Sequence, residues 1–174
     1  MDFRRRREIG EIADGVREAL ELKVQVDVDR AIQLLGGTLT QVAPTEAEAY
    51  VEKHGESFVI GISDAVAPTR RRFSIAHEFG HLFLHMGYLM DANKWTNVAR
   101  YEESIKYRFG YSEEEYEAHE FAGAFLMPET EFREVAESFR RENKYQVISI
   151  ADHFGVSVDA ASTRGRWLRI FAWD

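Results

Sequence analysis

The sequence predicts an α+β domain in which a small antiparallel sheet is preceded and followed by helices. Three observations carry that prediction. Apolar residues recur at helical spacing near the start, three short extended segments with turn residues between them follow, and helical periodicity returns beyond residue 68. Of the 174 residues, 45% are hydrophobic and 13% aromatic, enough for one core.

The elements follow in order. Ile9, Ile12, Val16 and Leu20 mark one face of a helix over roughly 8–22, and the Arg4–Arg7 run reads as its solvated lead-in. Asp27 or Asp29 caps a second helix that runs through Leu35 and stops at Gly36-Gly37. Thr38–Val42, Ala47–Lys53 and Ser57–Ser63 are extended, and His54-Gly55-Glu56 makes a hairpin of the last two. Pro68 precedes a helix from about Arg70 to Met86. Residues 87–111 read as a long irregular loop, of the kind that is usually functional. Ser112 opens a helix to Leu126 that Met127-Pro128 breaks, and a further helix runs to about Arg141. Ile148–Phe154, Gly155 and a Ser157-capped helix complete the fold.

Composition excludes several functions. Without cysteine there is no disulfide framework, thiolate metal site or cysteine nucleophile. No apolar run approaches the ~18 residues that a membrane span needs, and Met1–Arg7 lacks a signal-peptide pattern, so a cytoplasmic protein is expected. At a net charge of −8, nucleic-acid binding is not expected. Ile150–Leu168, with Arg164, Arg166 and Arg169, has a helix-turn-helix outline, but Ile150, Phe154, Val156 and Val158 are core-type residues.

The chemistry concentrates in His77-Glu78-Phe79-Gly80-His81, an HExxH motif. Four residues apart on a helix, His77 and His81 share a face and can reach one Zn²⁺, while Glu78 stands beside the metal as a general base. His85 extends the series. Three ligands from one short helix would crowd one side of a tetrahedron, so His85 is expected to support a ligand or end the helix. A third ligand is sought in the next helix, where Glu115 shares an inward face with Ala118, His119, Ala122 and Leu126, while Glu113, Glu117 and Glu120 point elsewhere. Ser112-x-x-Glu115 is also a capping box, in which Glu115 would only tie the helix start.

These residues resemble the ImmA/IrrE metallo-endopeptidases. Arg72–His85 is similar to the signature RFxxAHExGHxxLH, Glu115–Pro128 to ExxANxFAxxLLMP, and Ile150–Ser157 to LAxxFxVS. The likeness extends from about residue 25 to 168. It implies a zincin-like fold with an active-site helix over the sheet, His77, His81 and Glu115 as zinc ligands, and Glu78 as catalytic base. Mn²⁺ is the alternative ion. It further implies cleavage of a helix-turn-helix repressor, or pairing with one as a toxin-antitoxin partner. The organisation expected is one metallopeptidase domain over 1–174: an N-terminal helix in 1–24, the catalytic core in 25–141, and a C-terminal helical pair in 142–174 packed on it.

One position departs from the signature: His119 stands where the family has Asn or Asp. Its expected role is to accept a hydrogen bond from a zinc-bound histidine and so orient it. Alternatively His119 joins Glu115 as a fourth ligand, which would close the site and leave an interaction module. If the site is open, Glu78 assists attack of a zinc-bound water on a peptide carbonyl. Tyr88, Tyr101, Tyr107, Arg108 and Tyr111 are candidate oxyanion donors on a loop acting as a lid, and the sheet edge can take an extended substrate.

Overall fold

The computed structural model of the protein describes residues 1–43, 48–98 and 112–172. Helix α1 (Phe3–Ala19) begins at Asp2, whose carboxylate accepts a hydrogen bond from the Arg5 amide at 2.8 Å. It starts earlier than expected, because Asp2 supplies the cap and the four arginines lie inside the helix. Arg5 stands one turn before Ile9 on the inward stripe and is not a solvated lead-in. Of the two candidate caps it is Asp27 that starts α2 (Val28–Leu34), accepting from the Arg30 amide at 3.0 Å.

Three strands follow: β1 (Thr38–Val42), β2 (Ala49–His54) and β3 (Ser57–Ser63), in the spatial order β1-β3-β2. The β2–β3 hairpin pairs His54 with Ser57, and Gly55 enters its two-residue loop at φ 61°, a conformation glycine adopts without strain. The sheet is mixed rather than wholly antiparallel, since β1 runs parallel to β3. The physical reason is hydropathy. Ser57–Ser63 is the most continuously apolar strand and is buried along nearly its whole length, so it takes the centre; the more polar Thr38–Val42 is left to pair with its free side.

Helix α3 (Pro68–Gly80) packs on this sheet and continues without a break into a wider π-helical turn over His81–His85. Within the stretch expected to be irregular, Asp91 caps a short helix α4 (Ala92–Asn97), accepting from the Asn93 and Lys94 amides at 3.0 Å. Ser112 caps α5 (Glu113–Leu126). Helix α6 (Glu129–Ser138) is shorter than expected. Arg140-Arg141-Glu142-Asn143-Lys144 has no apolar residue to bury, and it forms a small hairpin of β4 (Arg140–Arg141) and β5 (Lys144–Tyr145) instead. Helices α7 (Val147–Phe154) and α8 (Val158–Trp167) close the fold, the latter capped by Ser157.

The terminal pair is tied to the core by Arg72 of α3. Its guanidinium donates to the carbonyls of Phe154 and Gly155 at 3.0 and 2.5 Å and to that of Val26 at 3.0 Å. Arg164, part of the helix-turn-helix outline, is turned inward and 6% exposed, and Arg169 lies over the Phe3 ring. Among the described residues no helix is long and apolar enough to cross a membrane.

Helices α3 and α5 meet backbone to backbone. A Cβ at Gly80 would stand 2.7 Å from the Ala118 Cα. Gly80→Ala is therefore expected to lower stability by up to about 2 kcal/mol, overpacking of about 1–3 kcal/mol being set against the ~1 kcal/mol gained in helix propensity. Gly10→Ala on α1, where a Cβ meets nothing within 4 Å, should instead stabilise by roughly 0.5–1 kcal/mol. Urea unfolding of both variants against wild type checks the pair.

Candidate metal centre

The crossing of α3 and α5 converges three side chains. The Nε2 atoms of His77 and His81 lie 3.0 Å apart, and the Glu115 carboxylate faces both, Oε2 at 3.2 Å from His77 and Oε1 at 3.1 Å from His81. Ser112 Oγ still accepts from the Glu115 amide at 3.2 Å. The cap is thus made by Ser112, while the Glu115 carboxylate is committed to the histidines. The imidazoles of His77 and His81 that face it hold that carboxyl well below the usual carboxylate range.

This triangle suits a divalent ion. Ligand atoms about 2.0–2.1 Å from a tetrahedral zinc stand about 3.3–3.4 Å apart, so edges of 3.0–3.2 Å need only a small expansion. Two imidazoles and a carboxylate are a donor set for such an ion. Glu115 Oε1 is buried without a hydrogen-bond donor, the state a cation would relieve. The group of His77, His81 and Glu115 could hold a metal.

Glu78, next to His77, is 2% exposed, and its Oε2 has no hydrogen-bond partner. Burial pushes its carboxyl up, against the opposing pull of His77 and His81.

On the π turn, His85 meets His81 through their Nδ1 atoms at 2.9 Å, and its Nε2 lies 3.3 Å from Glu117 Oε2. Glu117 in turn accepts from Arg5 Nε and Nη2 at 2.6 and 2.7 Å. Burial, and then the neighbouring His81, pull the His85 pKa down to about 4, so the ring is neutral near pH 7. A carboxylate only accepts, so His85 donates from Nε2 and accepts at Nδ1. His81 then carries its proton on Nδ1, leaving the Nε2 lone pair aimed at the triangle. Neither Glu117 nor Arg5 was singled out from the sequence. The available signal was the position of Arg5 on the inward stripe of α1.

His119 makes its hydrogen bond within its own helix. Its Nδ1 donates to the Glu115 carbonyl of its own helix at 2.8 Å, and the ring lies edge-on to His77 with centroids 4.5 Å apart. With that nitrogen engaged, no hydrogen bond orients His77 through it, and His77 Nδ1 has no partner among the described residues. Nor does His119 join the convergent group. Glu117 and Glu120 point away from the triangle, as anticipated, but into buried ion pairs with Arg5, Arg6 and Arg164. Tyr88 is not available as an oxyanion donor, because its hydroxyl donates to the Leu35 carbonyl at 2.7 Å. Tyr101, Tyr107, Arg108, Tyr111 and most of the expected lid lie outside the described residues.

Comparison with known proteins agrees with this geometry. Residues 37–165 match a peptidase family described as the IrrE N-terminal-like domain, and the chain belongs to that family. Among solved structures, a Mycobacterium tuberculosis transcriptional regulator is similar in fold, with a TM-score of 0.61 and 21% identity. The match covers 91% of this chain but 46% of the regulator, so the chain spans about half of that protein's length. No curated protein matches the chain.

Metal-free protein is expected to take up one divalent ion per chain in competition with a chelator. Glu115→Ala should abolish that uptake, and Glu117→Gln should weaken it on the order of tenfold through His85 and His81. Calorimetric titration of zinc into the three proteins is the measurement.

Proposed function

We propose that this chain is a zinc-dependent cytoplasmic endopeptidase whose substrate is a helix-turn-helix transcriptional repressor. The observation that carries the reading is Glu78: a buried carboxyl with an unpartnered oxygen, beside a triangle of two imidazoles and a carboxylate. A purely structural metal site has no use for such a group. Membership of a peptidase family supports the activity. The repressor substrate rests on the resemblance to ImmA/IrrE enzymes, and the likeness to a transcriptional regulator is compatible with it.

In this reading His77, His81 and Glu115 hold the ion and Glu78 is the base. When bound, zinc supplies Lewis acidity toward the scissile carbonyl and lowers the pKa of water toward neutrality. Glu78 takes a proton from the attacking water and delivers it to the departing amine, a task suited to a carboxyl whose pKa burial has raised. His85, Glu117 and Arg5 keep the His81 lone pair on the triangle. Strand β2 pairs on one side with β3 and has no ladder partner on the other among the described residues. Glu48, at its start, accepts from Ser74 Oγ and from Arg70 Nε of α3, so an extended substrate laid along that edge runs toward the triad. The whole chain acts as one catalytic domain, with α7 and α8 docked on the core through Arg72.

Glu78→Gln is expected to retain the metal and lose hydrolysis by about 10²–10⁴-fold, the usual contribution of a general base. Incubation of metal-loaded wild type and variant with purified helix-turn-helix repressors and with a peptide library, read by mass spectrometry, checks this. Metal-loaded wild type that binds a repressor yet cleaves neither it nor any peptide would leave a non-catalytic binding module.

A further inference from the structure

Beside the metal triad, α5 and α8 part to leave a groove of about 500 Å³, open toward the first turns of α3. Its floor is one stripe of α5, running from His119 through Gly123 to Met127; Phe73 of α3 and Ala160 and Trp167 of α8 line its sides. His119 joins groove and triad, since the ring that borders the groove also packs edge-on against His77. We infer that this groove receives a large apolar side chain of the polypeptide substrate, within two residues of the scissile bond, and that Gly123 sets its depth. The inference rests on the peptidase reading and deepens it by naming what the site selects.

Of the charged side chains lining the groove, Glu120 is paired with Arg164 and Arg6, and Arg70 with Glu48, while Asp159 stands on the α8 side. Glu120 Oε1 lies 2.9 Å from Arg164 Nη1 and its Oε2 3.1 Å from Arg6 Nε. Arg164 Nε donates to the Met127 carbonyl at 3.0 Å. A carboxylate or ammonium entering here would lose its hydration with these partners already engaged, whereas an apolar side chain leaves the network intact. The walls are firm, because the Arg6 guanidinium lies 3.6 Å from the Trp167 ring centroid and braces that side. The volume falls within the ~300–1,000 Å³ typical of ligand pockets.

Gly123 is the informative residue. It sits inside a 14-residue helix, where glycine costs about 1 kcal/mol relative to alanine. Neither a positive φ nor close packing demands it, since the nearest atom to a Cβ there is Arg164 Cδ at 3.9 Å. The absent side chain leaves space that opens into the groove. Arg6 and Trp167 fall outside the residues matched to the family.

Two measurements test the inference. In a proteome-derived peptide library, metal-loaded wild type should favour Leu, Met, Phe or Tyr over Gly or Ala by tenfold or more at one position next to the cleaved bond, a discrimination of the order apolar pockets achieve. Gly123→Leu should shift that preference to small residues, with metal content unchanged and urea stability equal or higher. Independently of turnover, N-acetyl-phenylalanine amide should shift the Trp167 indole N–H resonance (assigned with Trp167→Phe) in wild type and not in Gly123→Leu. N-acetyl-alanine amide should shift neither. Cleavage with the same side-chain profile in both proteins, or an unshifted wild-type indole, overturns the groove assignment alone. Absence of any cleavage overturns the peptidase reading, while an indole shift would still support an apolar binding site.

Discussion

The contact on which the site depends is the close approach of Gly80 and Ala118. Helices usually pack with axes about 8–10 Å apart, held off by side chains; here a Cβ on Gly80 would stand only 2.7 Å from the Ala118 Cα. His77 lies three residues before this crossing and His81 one after it, while Glu115 lies three before it on the other helix. Three ligand atoms with mutual distances of 3.0–3.2 Å follow from that geometry. A longer side chain at either contact would separate the carboxylate from the imidazoles and leave two half-sites.

Helix α5 is consequently surrounded, and three of its five glutamates face different neighbours. Glu115 faces the histidines of α3, Glu117 faces Arg5 and His85, and Glu120 faces Arg6 and Arg164. Buried ion pairs contribute little net stability, but losing one partner strands a charge at a cost of about 3–5 kcal/mol. Their effect here is specificity of arrangement. Each carboxylate has one set of partners, so α5 cannot rotate or slide without leaving several charges unpaired. Helix α1, which lies outside the matched family residues, thereby fixes the helix that carries Glu115.

This distribution also explains which features were legible in the sequence. The HExxH spacing, the caps at Asp27, Ser112 and Ser157 and the glycine turn at Gly55 are local, and each was readable because its partners lie within a few residues. The parallel pairing of β1 was not, since it depends on β3 outcompeting its neighbours for the buried centre. Arg5 and Arg6 read as solvated because the carboxylates that bury them come more than a hundred residues later. At His119 the sequence leaves the partner open, because a carbonyl in its own helix, four residues back, competes for a ring nitrogen.

Glu78 and Glu115 present two carboxyls to the same pair of imidazoles with opposite consequences. Glu115 receives both Nε2 atoms directly, which holds it in the anionic form regardless of its partial burial. Glu78 is almost wholly buried, has an oxygen without a donor, and feels the same imidazoles only at a distance, so desolvation prevails and its proton affinity rises. A carboxylate that stays ionised can hold a cation but is a poor proton acceptor. One with raised affinity can take up a proton and release it. Separating the two pKa values within one site is the condition for dividing metal binding from proton transfer between otherwise identical groups. The division here is set by geometry, because only the carboxyl on the helix crossing at Gly80 can reach both imidazoles at once.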